Sequence, residues 1–138
     1  MGFATNAEAA CSRETLQTLA ATYVKAQTDG KAGLLPLAKG ASYAENDKAM
    51  DIGKGVLAGP LKVDFTRSLH DTTACATFTE LVAASDPHPY VIHTRIEATT
   101  NGKVSKMESV VTDAGDWVFG AAEHLAVTRG ENWGEIPK

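Results

Sequence analysis

The chain carries 4 histidines, and two of them fall where a proton could be moved. His93 lies in the run YVIHTRIEAT, where Val91, His93, Arg95, Glu97 and Thr99 alternate onto one strand face. An arginine beside a glutamate can hold an imidazole in one orientation and tune its proton affinity. A strand face turned to solvent accounts for the same three polar residues. His70 and Asp71 end one strand run and begin the next, which puts them at a rim. An imidazole there can serve as general acid or base, worth roughly 10²–10⁴-fold in rate; the plainer reading is a turn capped by Asp71, with His70 exposed. Arg67 alternates with Phe65 and Leu69 on a mostly apolar face, so its charge must pair with a carboxylate or bind an anionic or phenolate oxygen. The piece YAEND offers the Tyr43 hydroxyl and the Asn46 amide, donors suited to a substrate oxygen on which charge develops; Asn46 and Asp47 also read simply as a turn. Tyr23 lies on a helical stripe, and Phe78 and Trp117 are aromatic walls for a cavity or members of a core. Glu108 with Lys106 is a solvated pair or a pocket acid. His88, between Pro87 and Pro89, reads as exposed, and His124 carries no assigned role.

The elements that position these residues follow from hydrophobic period and punctuation. Ser12 can cap a helix whose apolar positions Leu16, Leu19, Ala20, Tyr23 and Val24 keep helical spacing. Glu14 complements its dipole and Gly30 ends it. Thr28 or Asp29 can cap a short second helix with Leu34, Leu35 and Leu37, limited by Pro36. From Ala41 the period changes. ASYAEND reads as a short strand and MDIGKGVLAGP as a glycine-rich loop. Four runs then alternate in the manner of strands: LKVDFTRSLH, TACATFTELV, YVIHTRIEAT and KVSKMESVVT. Asn101-Gly102 is the strongest hairpin signal. DWVFGAAEHL reads as a last strand. The order of helices first and a strand meander after excludes a parallel βαβ sheet.

Composition narrows the function classes. At 138 residues, with 43% hydrophobic and 22% charged residues, the chain is long enough for one domain with a real core. A net charge of −4, with basic residues scattered singly, argues against nucleic acid and against a membrane surface. No glycine-rich phosphate loop and no Cys/His zinc spacing is visible, so neither a cofactor nor a metal is expected. The first ten residues, MGFATNAEAA, lack the pattern of a signal peptide and read as an N-terminal arm. A cytoplasmic location is therefore the default. On that basis Cys11 and Cys75 are expected as buried, reduced thiols. The domain is bounded at 11–128, with a tail over 129–138.

The helix LQTLAATYVKAQTDG, the hairpin NGKVSKMESVVTDAGDW and the closing VFGAAEHL resemble the nuclear transport factor 2-like superfamily, which includes ketosteroid isomerases and SnoaL-type cyclases. YAEND, RSLHDTTACATFTELV and DPHPYVIHTRIEA are similar to a SnoaL-like group within it, and size and fold are similar to γ-formaldehyde lyases acting on lignin-derived dimers. The resemblance implies an α+β, cone-shaped domain, N-terminal helices packed on a strongly curved antiparallel sheet of five or six strands. It also implies a cofactor-free pocket under the helices for a small apolar or aromatic substrate, and a homodimer or homotrimer. The expected function is a cofactor-independent lyase using acid–base chemistry, releasing formaldehyde from a lignin-derived dimer. An isomerase, dehydratase or epoxide hydrolase is the alternative, as is a non-catalytic binding module. In that frame His70, His93, Tyr43 and Arg95 are the catalytic candidates. Asn46, Arg67, Tyr23, Phe78 and Trp117 are the substrate-binding candidates.

Overall fold

A computed structural model describes residues 11–135; the expected N-terminal arm and the last three residues lie outside them. Helix α1 spans Arg13–Asp29, and its ends are built as the residue types dictate. Ser12 Oγ accepts from the Thr15 backbone N–H at 3.0 Å, and Gly30 closes the helix at φ 66°. A Cβ at Gly30 would come within 2.5 Å of the Pro60 nitrogen, so only glycine lets this turn pass so close to the returning chain. The Gln27 amide pins the same region, donating to the carbonyls of Val56 and Gly59.

The expected second helix is not formed. A single 3-10 turn covers Ala32–Leu34, and Leu37 already opens β1, Leu37–Glu45. Pro36 explains the difference, because it lacks the N–H a helix would need while its carbonyl is free to accept from Val104 N at 2.8 Å. The remaining strands are β2 Lys48–Ala49, β3 Phe65–Asp71, β4 Ala76–Ala83, β5 Tyr90–Ala98 and β6 Val104–Thr112. They form one six-stranded sheet in the order β2-β1-β6-β5-β4-β3. All neighbours are antiparallel except β1 and β6, which run parallel, so the curved sheet is mixed where an antiparallel one was expected. Asn101-Gly102 sits in the β5–β6 connection, with Gly102 at φ 81°.

The last element differs in kind. Residues 113–120 turn, and Ala121–Gly130 form a helix, α2, where a strand was expected. Val118 and Phe119 look like strand residues, but they lie in the turn. The AAEHLAVTR segment beyond Gly120 is rich in strong helix formers. Its buried positions, Ala121 and Thr128, are seven apart, a helical interval.

Strand alternation gives the sheet two unlike faces. The inner face, under α1, carries Leu81, Ile92, Ile96 and Met107, which pack with Leu19, Tyr23, Ala26, Leu35, Tyr43 and Leu57 into the main core. The outer face carries Val82 and Val91, which pack with Ala121, Phe65, Phe119 and Leu125 under α2. Cys11 and Cys75 are joined in a disulfide beside Leu16, their Cα atoms 5.4 Å apart. This corrects the expectation of reduced thiols. The start of α1 and the start of β4 are neighbours in space, as the hydrogen bond from Cys11 N to Thr72 O also shows, and a separation of 64 residues hides that in the sequence.

Candidate functional site

Cross-strand register decides which polar side chains meet. On the inner face one row runs Ser68, Thr79, Thr94, Ser109 and Glu45 across five strands. Thr94 Oγ1 lies 2.8 Å from Ser109 Oγ and 2.8 Å from the Tyr23 hydroxyl. The Tyr43 hydroxyl donates to Glu45 Oε1 at 2.7 Å, and the Val56 N–H donates to the same oxygen. Burial pushes the Tyr23 phenol up to about 12, and burial with the Glu45 carboxylate raises that of Tyr43 further. Both stay neutral donors. The space around them is filled by core side chains. The opening at Tyr43, lined by Leu37, Ser42, Met50, Asp51 and Ile52, has a volume of about 230 Å³. That is below the roughly 300–1,000 Å³ of small-molecule pockets.

The outer face holds a larger cleft, about 690 Å³, between the end of the sheet, the 116–120 turn and α2. Val91, Trp117, Val118, Phe119 and Val127 form apolar walls, and His93, His124, Thr112, Asp116 and Glu123 are the polar groups among them. Val118 adopts φ 56°, a region that β-branched residues avoid, in the turn that leaves Trp117 95% exposed at the rim. Here a second row crosses the sheet: Arg67, Glu80 and His93 are direct cross-strand partners on β3, β4 and β5. His124 reaches down from α2, its Nε2 2.8 Å from Glu80 Oε1. Burial works to raise the Glu80 carboxyl, but the hydrogen bonds and charges of His124 and Arg67 outweigh it and hold it below its ordinary value. Glu80 is therefore an acceptor only, and His124 Nε2 carries the proton. The His93 imidazole is pushed down by burial, with the nearby Glu80 charge opposing. Its ring stacks on Phe78 at 5.8 Å and meets His124 edge-on at 6.3 Å.

The structure separates the sequence candidates. His93 and Trp117 share the outer cleft, with Phe78 behind His93. Arg95 is on the same face but pairs with Glu97 at 2.6 Å, half-exposed. Arg67 is fully engaged, bonding Glu80 at 3.1 Å and Glu131 at 3.0 Å while its guanidinium lies 4.0 Å over the Trp133 ring. His70 is across the sheet, its Nδ1 2.9 Å from Thr77 Oγ1 on the inner face. Tyr23 and Tyr43 belong to the core. Asn46 clamps β1 to β6: its amide donates to the Val111 carbonyl and accepts from the Val111 N–H, leaving it a turn residue with φ 49°. Lys106 and Glu108 form a solvated pair.

Sequence reasoning missed Glu80 and His124. Glu80 alternates with Phe78 and Val82, and the pairing of LKVDFTRSLH and TACATFTELV brings it opposite Arg67, a signal that was there to be used. His124 had none, since its segment reads as a strand.

No protein-family model matches the chain, and no curated protein matches it in sequence. In three dimensions it is similar to a steroid delta-isomerase from Pseudomonas aeruginosa, with a TM-score of 0.53 at 14% identity over 87% of this chain and 91% of that one. Among the described residues no helix is long and apolar enough to cross a membrane. One N-terminal helix over a curved six-stranded sheet in this strand order, superposing on that isomerase, is the nuclear transport factor 2-like fold, and it is the fold of this chain.

Proposed function

We propose that this chain is an isomerase or lyase that acts by proton transfer on a small, largely apolar substrate held in the outer cleft. The observation that carries the reading is the meeting of His93 and His124 in an apolar cleft of about 690 Å³, with His124 oriented by Glu80. Cleft volume and lining suit an aromatic or alicyclic molecule with one or two oxygen functions. His93, kept neutral by burial, takes a proton from substrate carbon or hydroxyl. His124, its Nε2–H held by the Glu80 carboxylate, gives one from Nδ1 of its doubly protonated ring to the departing or enolising oxygen, the division of roles that acid–base catalysis needs. In the lyase form His124 protonates a leaving benzylic hydroxyl; His93 then takes the proton of a terminal hydroxyl and the C–C bond breaks to release formaldehyde. In the isomerase form, the class carried by the name of the structural neighbour, His93 moves one proton between two carbons.

Leu69 and Phe78 are exposed apolar cross-strand partners on the outer face, which supports the further reading of a dimer or trimer joined there. The test of the chemistry is direct. A phenolic diarylpropane diol is assayed for formaldehyde and stilbene, and a β,γ-unsaturated ketone for its conjugated isomer. Turnover of one, lowered about 10²–10⁴-fold in His93→Gln and His124→Gln, is the expected result. Turnover unchanged in both variants removes the reading. Quenching of Trp117 by these compounds without turnover leaves a binding module only.

A further inference from the structure

Glu80, His93 and His124 come from β4, β5 and α2, and one ligand atom of each lies within 4.8 Å of those of the other two. We propose that these three side chains form a binding site for a divalent transition-metal ion of borderline softness, Zn²⁺ or Co²⁺, and that the ion switches off proton transfer in the cleft. Binding stands on the geometry alone; the switching rests on the function proposed above.

Two imidazole nitrogens and one carboxylate oxygen are a donor set that selects zinc-like ions over Mg²⁺ or Ca²⁺, which want oxygen throughout. Ligands at about 2.0–2.1 Å from a tetrahedral ion stand about 3.3 Å apart. His124 Nε2 and Glu80 Oε1 are now 2.8 Å apart across a proton, so an ion replaces that proton with a shift of a few tenths of an ångström. His93 closes the remaining gap by turning its ring into the open cleft. The carboxylate is already held from behind, because Arg67 bonds Glu80 Oε2 and is itself fixed by Glu131 and the Trp133 ring. Such outer partners orient ligands in metal sites. Counting Glu80, Glu131 and Arg67, the surroundings carry one net negative charge, and Glu123 lines the same cleft. The fourth position faces the cleft. An ion there occupies the one basic lone pair of each neutral imidazole, so neither ring can take up a further proton and hand it on.

The experiment uses the disulfide-intact, chelator-washed protein. Zn²⁺ is titrated by calorimetry, and the histidine ring resonances are followed by NMR on addition of Zn²⁺ to the unaltered chain. One ion per chain is expected, with the His93 and His124 resonances shifted and those of His70 and His88 unmoved. His93→Asn or His124→Asn is expected to weaken binding by more than about 100-fold and Arg67→Met by about 10–100-fold, while His88→Asn leaves it unchanged. Circular dichroism checks that the variants fold. Absence of Zn²⁺ binding, or binding retained in the His93/His124 double variant, overturns the site. Stoichiometric binding that leaves turnover intact overturns the switch and keeps the site. Binding to a protein that turns over no substrate leaves the site standing and counts against the proton-transfer function instead.

Discussion

Tyr23 is completely buried, and its hydroxyl shares Thr94 with Ser109 in the middle of the inner face. Removing it by Tyr23→Phe leaves an apolar ring of nearly the same shape but one fewer partner in a dry network. Stability is expected to fall by about 1–3 kcal/mol, read from urea unfolding. A larger loss would mean that the hydroxyl row is coupled across the sheet. His70 gives a pH signature on the same face. Burial, with the Arg13 charge as second cause, holds its pKa below 6.5 in the folded chain. Between the two values the unfolded chain binds more protons, so this stability is present above about pH 6.5 and is lost as pH falls toward the lower folded value. Melting temperatures followed between about pH 8 and 5 are expected to drop more for the unaltered chain than for His70→Asn. Equal slopes would leave His70 without this role.

At the scale of elements, the disulfide and α2 carry the testable consequences. The Cys11–Cys75 bond closes a 64-residue separation, which in the chain-entropy account contributes about 4 kcal/mol. Dithiothreitol, or Cys11→Ser with Cys75→Ser, is expected to lower the midpoint of unfolding accordingly, and non-reducing peptide mass mapping should recover the cross-linked pair. Disulfides of this kind persist in oxidising compartments, so chain made in a reducing cytosol is expected to contain more free thiol. Helix α2 is attached through Ala121, buried against Val82 and Val91. Ala121→Asp puts a charge into that contact. The expected outcome is a detached α2, with the Trp117 environment and the cleft lost while the α1-covered core still unfolds cooperatively. Fluorescence and far-ultraviolet dichroism, melted in parallel, separate the two events.

At the scale of the whole molecule, the sheet's two faces have divided the work. The inner face, where a pocket under the helices was expected, is filled with side chains and stabilises the domain. The outer face keeps the open cleft. Much of this architecture was legible beforehand: the capped helix ending at Gly30, the four alternating runs of β3 to β6, and the Asn101-Gly102 connection all follow from local chemistry. The start of β1 at Leu37, the 3-10 turn at Ala32 and the identity of α2 were not legible, because Pro36 and Phe119 act through neighbours distant in sequence. Alternation alone grouped Val91, His93, Arg95 and Glu97 on one face. It could not say that α2 would roof Val91 and His93 and leave Arg95 and Glu97 in water. What the sequence by itself determined is the set of local periods, and hence an α+β chain with histidines on strand faces. Only the tertiary structure decided which face is dry, because register and the docking of α2 depend on packing free energy summed over contacts that no local stretch contains.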